Sequence, residues 1–468
     1  MSKKGRFFTF CLATLLLFGL CSCDTAEEKN PYQDLLDEAQ DTATQEPEAQ
    51  RTLTLAITGE KSEYNYLYNF ATAYMSAHPD TLVQVEEITP GVDDAALSTR
   101  LMAGSAPDVL ATLATSEILN SGHLVDLYPF MREDPEFREE DYFMNVISAV
   151  EDGGHLYALA YSFLLRGVYA MRSDLDAGAA AEYEEGNATF ADMLHWYQEL
   201  GADRNLQFSE VFGADEVFTY YADSTIDIAG KSCDFQAEEL RPVIEFAQTI
   251  PAPNVTYSLD QGIITYVPGG NMLASERLLD TDSPYLFMEC DVINDPELLF
   301  PYEGRLYTQP HMIRSAGGNY LYEIGAVLMM TDSCKDRALA WDFIKFCMTD
   351  RTEPYEGLNS LIGYQMTVGP FPTTNRNNFA SQCRLNVENK YDYSVEMGQV
   401  PQGEREQVIN NAVAYLTTLP DCLEVNISPY LSILDITWED RCLYYLGNQS
   451  LDVTLKNMQS KIQLYLNE

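Results

Sequence analysis

Residues Gly154 to Asp174 lie about a third of the way along a chain of 468 residues and constrain it more than any other stretch. Two extended segments, Leu156 to Ala160 and Gly167 to Met171, flank the polar and aromatic break Tyr161-Ser162-Phe163. Runs rich in Tyr, Val and Leu after a Gly-Gly turn favour strands over helix. Such a stretch is either one ordinary buried strand pair or the first passage of the chain between two α/β domains. In the second case the aromatic break lies in a cleft, with most of one lobe built before it and most of the other after it. The order of the flanking segments has to choose between these.

Upstream, Thr52 to Ile57 alternates, with Leu53, Leu55 and Ile57 on one face, and breaks at Thr58-Gly59-Glu60. Leu67, Phe70, Ala71, Tyr74 and Met75 then recur at helical spacing until His78-Pro79, and Val83 and Val85 open another strand. This is a β-α-β unit, which implies parallel strands. A second helix starts near Asp93, buries Leu97 and Leu101, and closes at Gly104, where a left-handed residue is expected.

Lys3, Lys4 and Arg6 precede an apolar run from Phe7 to Leu20 that ends in Leu20-Cys21-Ser22-Cys23. A positive start, a short hydrophobic segment and small residues read as a secretory leader. Residues 24–50 are rich in Asp, Glu, Gln, Ala and Thr and hold too little apolar surface to fold alone, so they read as a solvated tether. The length predicts two domains, and 46% hydrophobic residues supply their cores. A formal charge of -44 disfavours nucleic acid as a partner. The ten cysteines include no Cys-x-x-Cys pair, so neither a zinc site nor a redox motif is indicated.

Ala103-Gly104-Ser105-Ala106-Pro107-Asp108, a helix end leading into the buried strand at Val109, resembles the family 1 extracellular solute-binding proteins, the maltose-binding-like receptors of ABC importers. The resemblance continues in Leu124 to Pro129, Asp141-Tyr142, and the opening stretch, where Ala160 replaces the usual Pro. Met171 to Leu175 replaces the commoner Tyr-Asn-x-Asp-Leu. Thr189 to Leu194 is similar to the family's Thr-Trp-x-Glu-Leu helix start, with Thr189 as cap and Trp196 as core. Gly317 to Gly325 followed by Ala326 to Met330 resembles its second crossing, Ala338 to Met348 its Ala-x-x-Phe-Ile-x-Phe helix, and Gly369 to Thr374 a return. Trp438 to Glu468 resembles its terminal helices, with Leu451, Leu455, Met458, Ile462 and Leu466 as an apolar stripe.

The resemblance implies a two-lobe α/β fold like that of the periplasmic binding proteins, with mostly parallel mixed sheets flanked by helices. Leu20-Cys21-Ser22-Cys23 also resembles the bacterial lipoprotein box, by which residues 1–22 are a lipoprotein signal peptide with Cys23 as the lipidated anchor, and 23–50 the tether. Residues 51–160 and 322–368 form one lobe, and 161–321 and 369–468 the other. It implies a monomeric receptor on the outer face of a bacterial cytoplasmic membrane. The receptor captures a carbohydrate by hinge closure and passes it to permease subunits, with no cofactor or metal and no catalysis of its own. A sugar site needs aromatic platforms edged by amides, carboxylates or guanidinium groups. Glu60, Tyr64 and Asn65 after the first strand, Tyr161, Phe163 and Arg166 at the first crossing, Tyr220 and Tyr221, and Asn319 and Tyr320 at the second crossing are the candidates.

Two other readings stay open: the same fold binding a polyamine or peptide, and an exported hydrolase or adhesion protein. The chain holds no Gly-x-Ser-x-Gly elbow and no His-Glu-x-x-His, and its five histidines stand apart in sequence. Gly230-Lys231-Ser232 ends like a phosphate loop, but Thr225 stands where the first Gly is required.

Overall fold

The computed structural model describes residues 51–467 except 63–64, 90–91, 114–115, 172–174, 176, 202–206, 210–213, 251–254, 259–262, 267–284, 302–307, 350–371, 399 and 401–403. The leader, Cys23, the tether, Tyr64, Arg172 to Asp174 and Gly369 to Phe371 therefore lie outside the described residues. The chain divides into two compact units. One takes in the chain up to Phe163 together with Ile324–Gln382, the other Leu164–Glu323 together with Cys383–Glu468. The last boundary falls inside the helix Arg376–Glu396, later than the return at 369 that the sequence suggests.

The first unit is built on a five-stranded sheet in the order Thr81–Ile88, Arg51–Thr58, Val109–Leu113, Ala326–Met330, Leu159–Ala160. Arg51–Thr58 pairs in parallel with both of its neighbours, from Arg51 opposite Thr81 to Ile57 opposite Ala111. Ala326–Met330 is the reversed strand, antiparallel to Val109–Leu113 on one side and to Leu159–Ala160 on the other. Leu53, Leu55 and Ile57 are buried, as their alternation requires. The helix Tyr66–Ala77 covers the sheet with Leu67, Phe70, Ala71 and Tyr74. The helix Arg337–Met348 adds Leu339, Ala340, Phe343 and Ile344 to the same core. Tyr74 donates its hydroxyl to Asp342 at 2.7 Å, so the two helices share a polar tie as well as packing.

Asp94–Met102 ends at Gly104 with φ +64, and Ser105 N–H returns to Arg100 C=O at 2.9 Å. This left-handed close frees the chain to enter the sheet through Pro107-Asp108. Asp108 accepts from Thr54 N–H at 2.8 Å and from Thr54 Oγ1 at 2.6 Å, which fixes the start of Val109–Leu113 beside Arg51–Thr58. On its other side Thr331 Oγ1 donates to Pro107 C=O at 2.7 Å. The motif that carries the family resemblance is thus a knot tying three strands of one sheet.

The second unit holds a four-stranded sheet in the order His311–Met312, Arg166–Ala170, Tyr285–Asp291, Gln207–Ser209. Leu321–Ile324 runs parallel to Val425–Asn426, with Leu321 opposite Val425. Phe190–Trp196 opens with a capping box, in which Thr189 and Asp192 each hold the other's backbone N–H, and Trp196 is buried. The terminal helix Leu451–Asn467 buries Leu451, Leu455, Met458, Ile462 and Leu466. Its neighbour Trp438–Tyr445 ends at Gly447 with φ +71. Among the described residues no helix is long and apolar enough to cross a membrane.

Candidate functional site

The candidate residues fall into two groups, one in each unit. In the first unit Glu60 and Asn65 lie where Arg51–Thr58 ends. Gly59 has φ +88 and lets the chain turn sharply into Glu60, which is exposed. Asn65 caps the following helix: its Oδ1 accepts from Leu67 N–H at 3.0 Å, and its Nδ2 donates to Thr58 C=O at 2.9 Å and Glu60 C=O at 3.0 Å. Both ends of that carboxamide are therefore engaged in holding the loop.

Tyr161 is buried, stacked on Tyr66 with centroids 5.6 Å apart and edge-on to Phe70 at 5.2 Å. Burial pushes the Tyr66 hydroxyl up from its ordinary pKa, and a hydrogen bond with Ser162 partly offsets this. Ser162 is itself buried and accepts from Ala326 N–H at 3.0 Å. Glycine at 325 makes room for it, since a Cβ there would lie 2.5 Å from Ser162 Oγ and 3.2 Å from Ser162 C=O. Phe163 is fully buried between Phe143 and Phe379. The aromatic break therefore has its side chains inside the first unit. Sequence alone does not separate a platform ring from a core ring, because both uses need the same residue type.

In the second unit Arg166 pairs with Glu323 at 2.6 Å, and the Glu323 side chain is only 8% exposed. Removing Arg166 would leave the buried Glu323 without its counter-charge, whereas Arg166, with a side chain 28% exposed, keeps part of its solvation. With Leu164, Tyr220, Ile313, Leu321, Tyr322 and Ile427 these two side chains line a small, mostly apolar cavity. Tyr220 is buried and stacked on Phe190, centroids 4.3 Å apart. Tyr221 is half-buried, and burial, followed by the charge of Asp192, raises its pKa.

Asn319 and Tyr320 sit on a tight turn. Ser315 N–H donates to Asn319 C=O at 2.9 Å, and Gly318 N–H to Ser315 C=O at 3.0 Å. Gly318 has φ +89, which explains the glycine there. The turn is tied down at Ala316 N–H, which donates to Tyr220 C=O at 2.8 Å, and at Asp223, which accepts from Ser315 Oγ at 2.6 Å and Asn319 Nδ2 at 2.8 Å. Arg314 lays its guanidinium over the Tyr320 ring, 4.0 Å from the centroid. The Tyr320 hydroxyl donates to Gly186 C=O at 3.1 Å.

The structure thus brings Asn319, Tyr320, Tyr220 and Tyr221 into one neighbourhood of the second unit. Asp223, Arg314 and Ser315 are the members that sequence reading missed. The Gly317-Gly318 turn was the only local signal for Arg314 and Ser315. Asp223 reaches Asn319 across 96 positions of chain, a pairing no local pattern announces. Among the described residues no group of three or more His, Cys, Asp or Glu could hold a metal ion.

No protein-family model matches the chain, and no curated protein does. Solved structures match it along most of its length. A family 1 extracellular solute-binding protein from Alicyclobacillus acidocaldarius aligns over 90% of this chain and 100% of its own, with a TM-score of 0.52 at 12% identity. The sugar-binding protein MalE of Xanthomonas citri covers 89% and 97%, with a TM-score of 0.52 at 15% identity. A periplasmic oligogalacturonide-binding protein from Yersinia enterocolitica covers 89% and 99%, with a TM-score of 0.54 at 13% identity. The chain therefore has the periplasmic-binding-protein fold, in the form found among the family 1 extracellular solute-binding proteins.

Proposed function

We propose that the chain is the carbohydrate receptor of an ABC importer. It is exported, held by lipid on Cys23 to the outer face of a bacterial cytoplasmic membrane, and acts as a monomer that delivers an oligosaccharide to permease subunits. The observation that carries this reading is the alignment of the fold, along about nine-tenths of the chain, with proteins that bind sugars and oligogalacturonides. The leader ending in Cys23 supports export and anchoring.

The receptor does no chemistry on its ligand. Its mechanism is hinge closure, in which the ligand favours the closed state by binding it more tightly than the open one. Asn319, Tyr320 and Tyr221 in the second unit and the exposed Glu60 in the first, with Tyr64 beside it in sequence, are the contacts this reading carries forward. Asn65, Tyr161, Phe163, Arg166 and Tyr220 have the structural duties described above. Any contact they make with ligand comes in addition to these.

A thermal-shift screen of the full chain against maltotriose, cellotriose, trigalacturonate, spermidine and a tripeptide mixture tests the proposal. A ligand at about a hundred times its Kd adds about 2.7 kcal/mol to stability. A clear upward shift with an oligosaccharide is therefore expected, together with a smaller radius of gyration in solution scattering. A shift with spermidine alone would replace the sugar by a cation, which the net charge of -44 favours as the second reading.

A further inference from the structure

One carboxylate oxygen of Asp223, a residue in the first turn of the short helix Ala222–Thr225, is the acceptor on which the Asn319 turn is hung. Oδ2 takes Ser315 Oγ at 2.6 Å and Asn319 Nδ2 at 2.8 Å, and Ser315 Oγ in turn accepts from Asn319 N–H at 3.2 Å. Gly317 allows the approach, because a Cβ there would lie 3.2 Å from the same oxygen. The chemistry is one-sided. An ionised carboxylate only accepts, so the end of the Asn319 carboxamide that faces Asp223 must be its NH₂. That leaves Asn319 Oδ1, which has no hydrogen-bond partner among the described residues, as the free end of the group. The other oxygen of Asp223, Oδ1, is buried and likewise has no partner among the described residues.

We propose that Asp223 is a positioning residue that locks the Asn319 carboxamide with its oxygen as the acceptor offered to ligand, so that the group met there is a hydroxyl or amine of a neutral or amino sugar and not a sugar carboxylate. The inference rests on the carbohydrate reading above and names the substrate class for that site. A carboxylate ligand would face an acceptor oxygen backed by a fixed negative charge, an arrangement that repels it. Arg314 does not reverse this. Its guanidinium is spread over the Tyr320 ring, its Nη1 donates to Gly318 C=O at 3.3 Å, and its Nε is buried with no hydrogen-bond partner among the described residues, so the group is held within the turn.

The test uses the full chain and four probes: maltotriose, cellotriose, chitosan trisaccharide and trigalacturonate. Calorimetry should find a neutral or amino trisaccharide bound more tightly than trigalacturonate. Asp223→Ala and Asn319→Ala should each weaken it about tenfold, and the double variant no further, since one acts through the other. Amide exchange at Gly318 and Asn319 should quicken about tenfold in Asp223→Ala while the terminal helix stays protected. Asn319→Asp gives a readout that a merely structural role would not move. Its new carboxyl can donate to Asp223 only when protonated, so binding should be lost at pH 7 and return as pH falls toward about 4.

Additive losses, unchanged exchange in Asp223→Ala, a pH-independent Asn319→Asp variant, or trigalacturonate as the tightest probe would each overturn the proposal. If none of the four probes binds the wild-type chain, the carbohydrate reading fails for these sugars and the substrate class falls with it. The exchange measurement then decides separately whether Asp223 positions the turn. Should Asp223→Ala fail to fold, the exchange and pH profile of Asn319→Asp decide the same point.

Discussion

Asp108 shows how much of a fold can hang on one carboxylate. It receives two hydrogen bonds from Thr54, and its own N–H donates to Thr54 Oγ1 at 2.9 Å, all at a partly buried site between two parallel strands. Hydrogen bonds to a charged acceptor contribute about 1.5–3 kcal/mol. Asp108→Ala is therefore expected to destabilise the chain by about 2 kcal/mol or more, and Asp108→Asn by less, in urea unfolding. Asp295 has the opposite character. Burial, then the charges of Glu297 and Asp291, push its carboxyl up to about 7, with only Lys390 and the Asp291 N–H opposing. Lys390 is held by Glu297 at 3.0 Å, and Asp291 is engaged by Asn294 at 2.7 Å. An unfolded Asp titrates near about 4. The folded state therefore binds the extra proton, and the stability it contributes is present below about pH 4 and lost as pH rises through about 7. Asp295→Asn should leave stability at pH 4 unchanged and raise it at pH 8, on the order of 2 kcal/mol. Melting temperatures at the two pH values check this, and equal effects at both would refute it.

The strand Arg166–Ala170 is limited by its second residue. A Cβ on Gly167 would come within 2.2 Å of Val292 Cγ2 and 3.0 Å of Cys290 Sγ. Gly167→Ala should therefore cost about 1–3 kcal/mol through overpacking, and Val292→Ala in the same chain should recover part of it. Thermal unfolding of the two variants and their combination measures both effects. At this scale the sequence was most informative where a period exists. Leu53, Leu55 and Ile57, the face of Tyr66–Ala77, and the stripe from Leu451 to Leu466 follow from alternation or helical recurrence, because burying one face is what forms those elements. It was least informative where one residue type serves two ends. Asn65 reads equally as ligand contact or helix cap, and Tyr161 as platform or core. Only tertiary neighbours decide between such uses, and the pairing of Asp223 with Asn319 leaves no local trace at all.

For the whole molecule, Cys23 is the position whose proposed role is easiest to isolate. Expressed in a bacterial host, the Cys23→Ala chain should lose palmitate labelling and membrane retention while its folded body keeps its melting temperature. Equal labelling of both forms would remove the anchor from the proposal. The order in which the sheet of the first unit is assembled has a further consequence. Ala326–Met330 lies between Val109–Leu113 and Leu159–Ala160, so Val109–Leu113 has no partner on that side until some 330 residues have been made. An unpaired apolar strand is a template for aggregation. For most of its synthesis, then, the growing chain carries an incomplete sheet that cannot lock. That delay is compatible with the export proposed above, which needs a chain that stays threadable, and a chain cut short before Ala326 cannot complete the first unit however well its early segments are made.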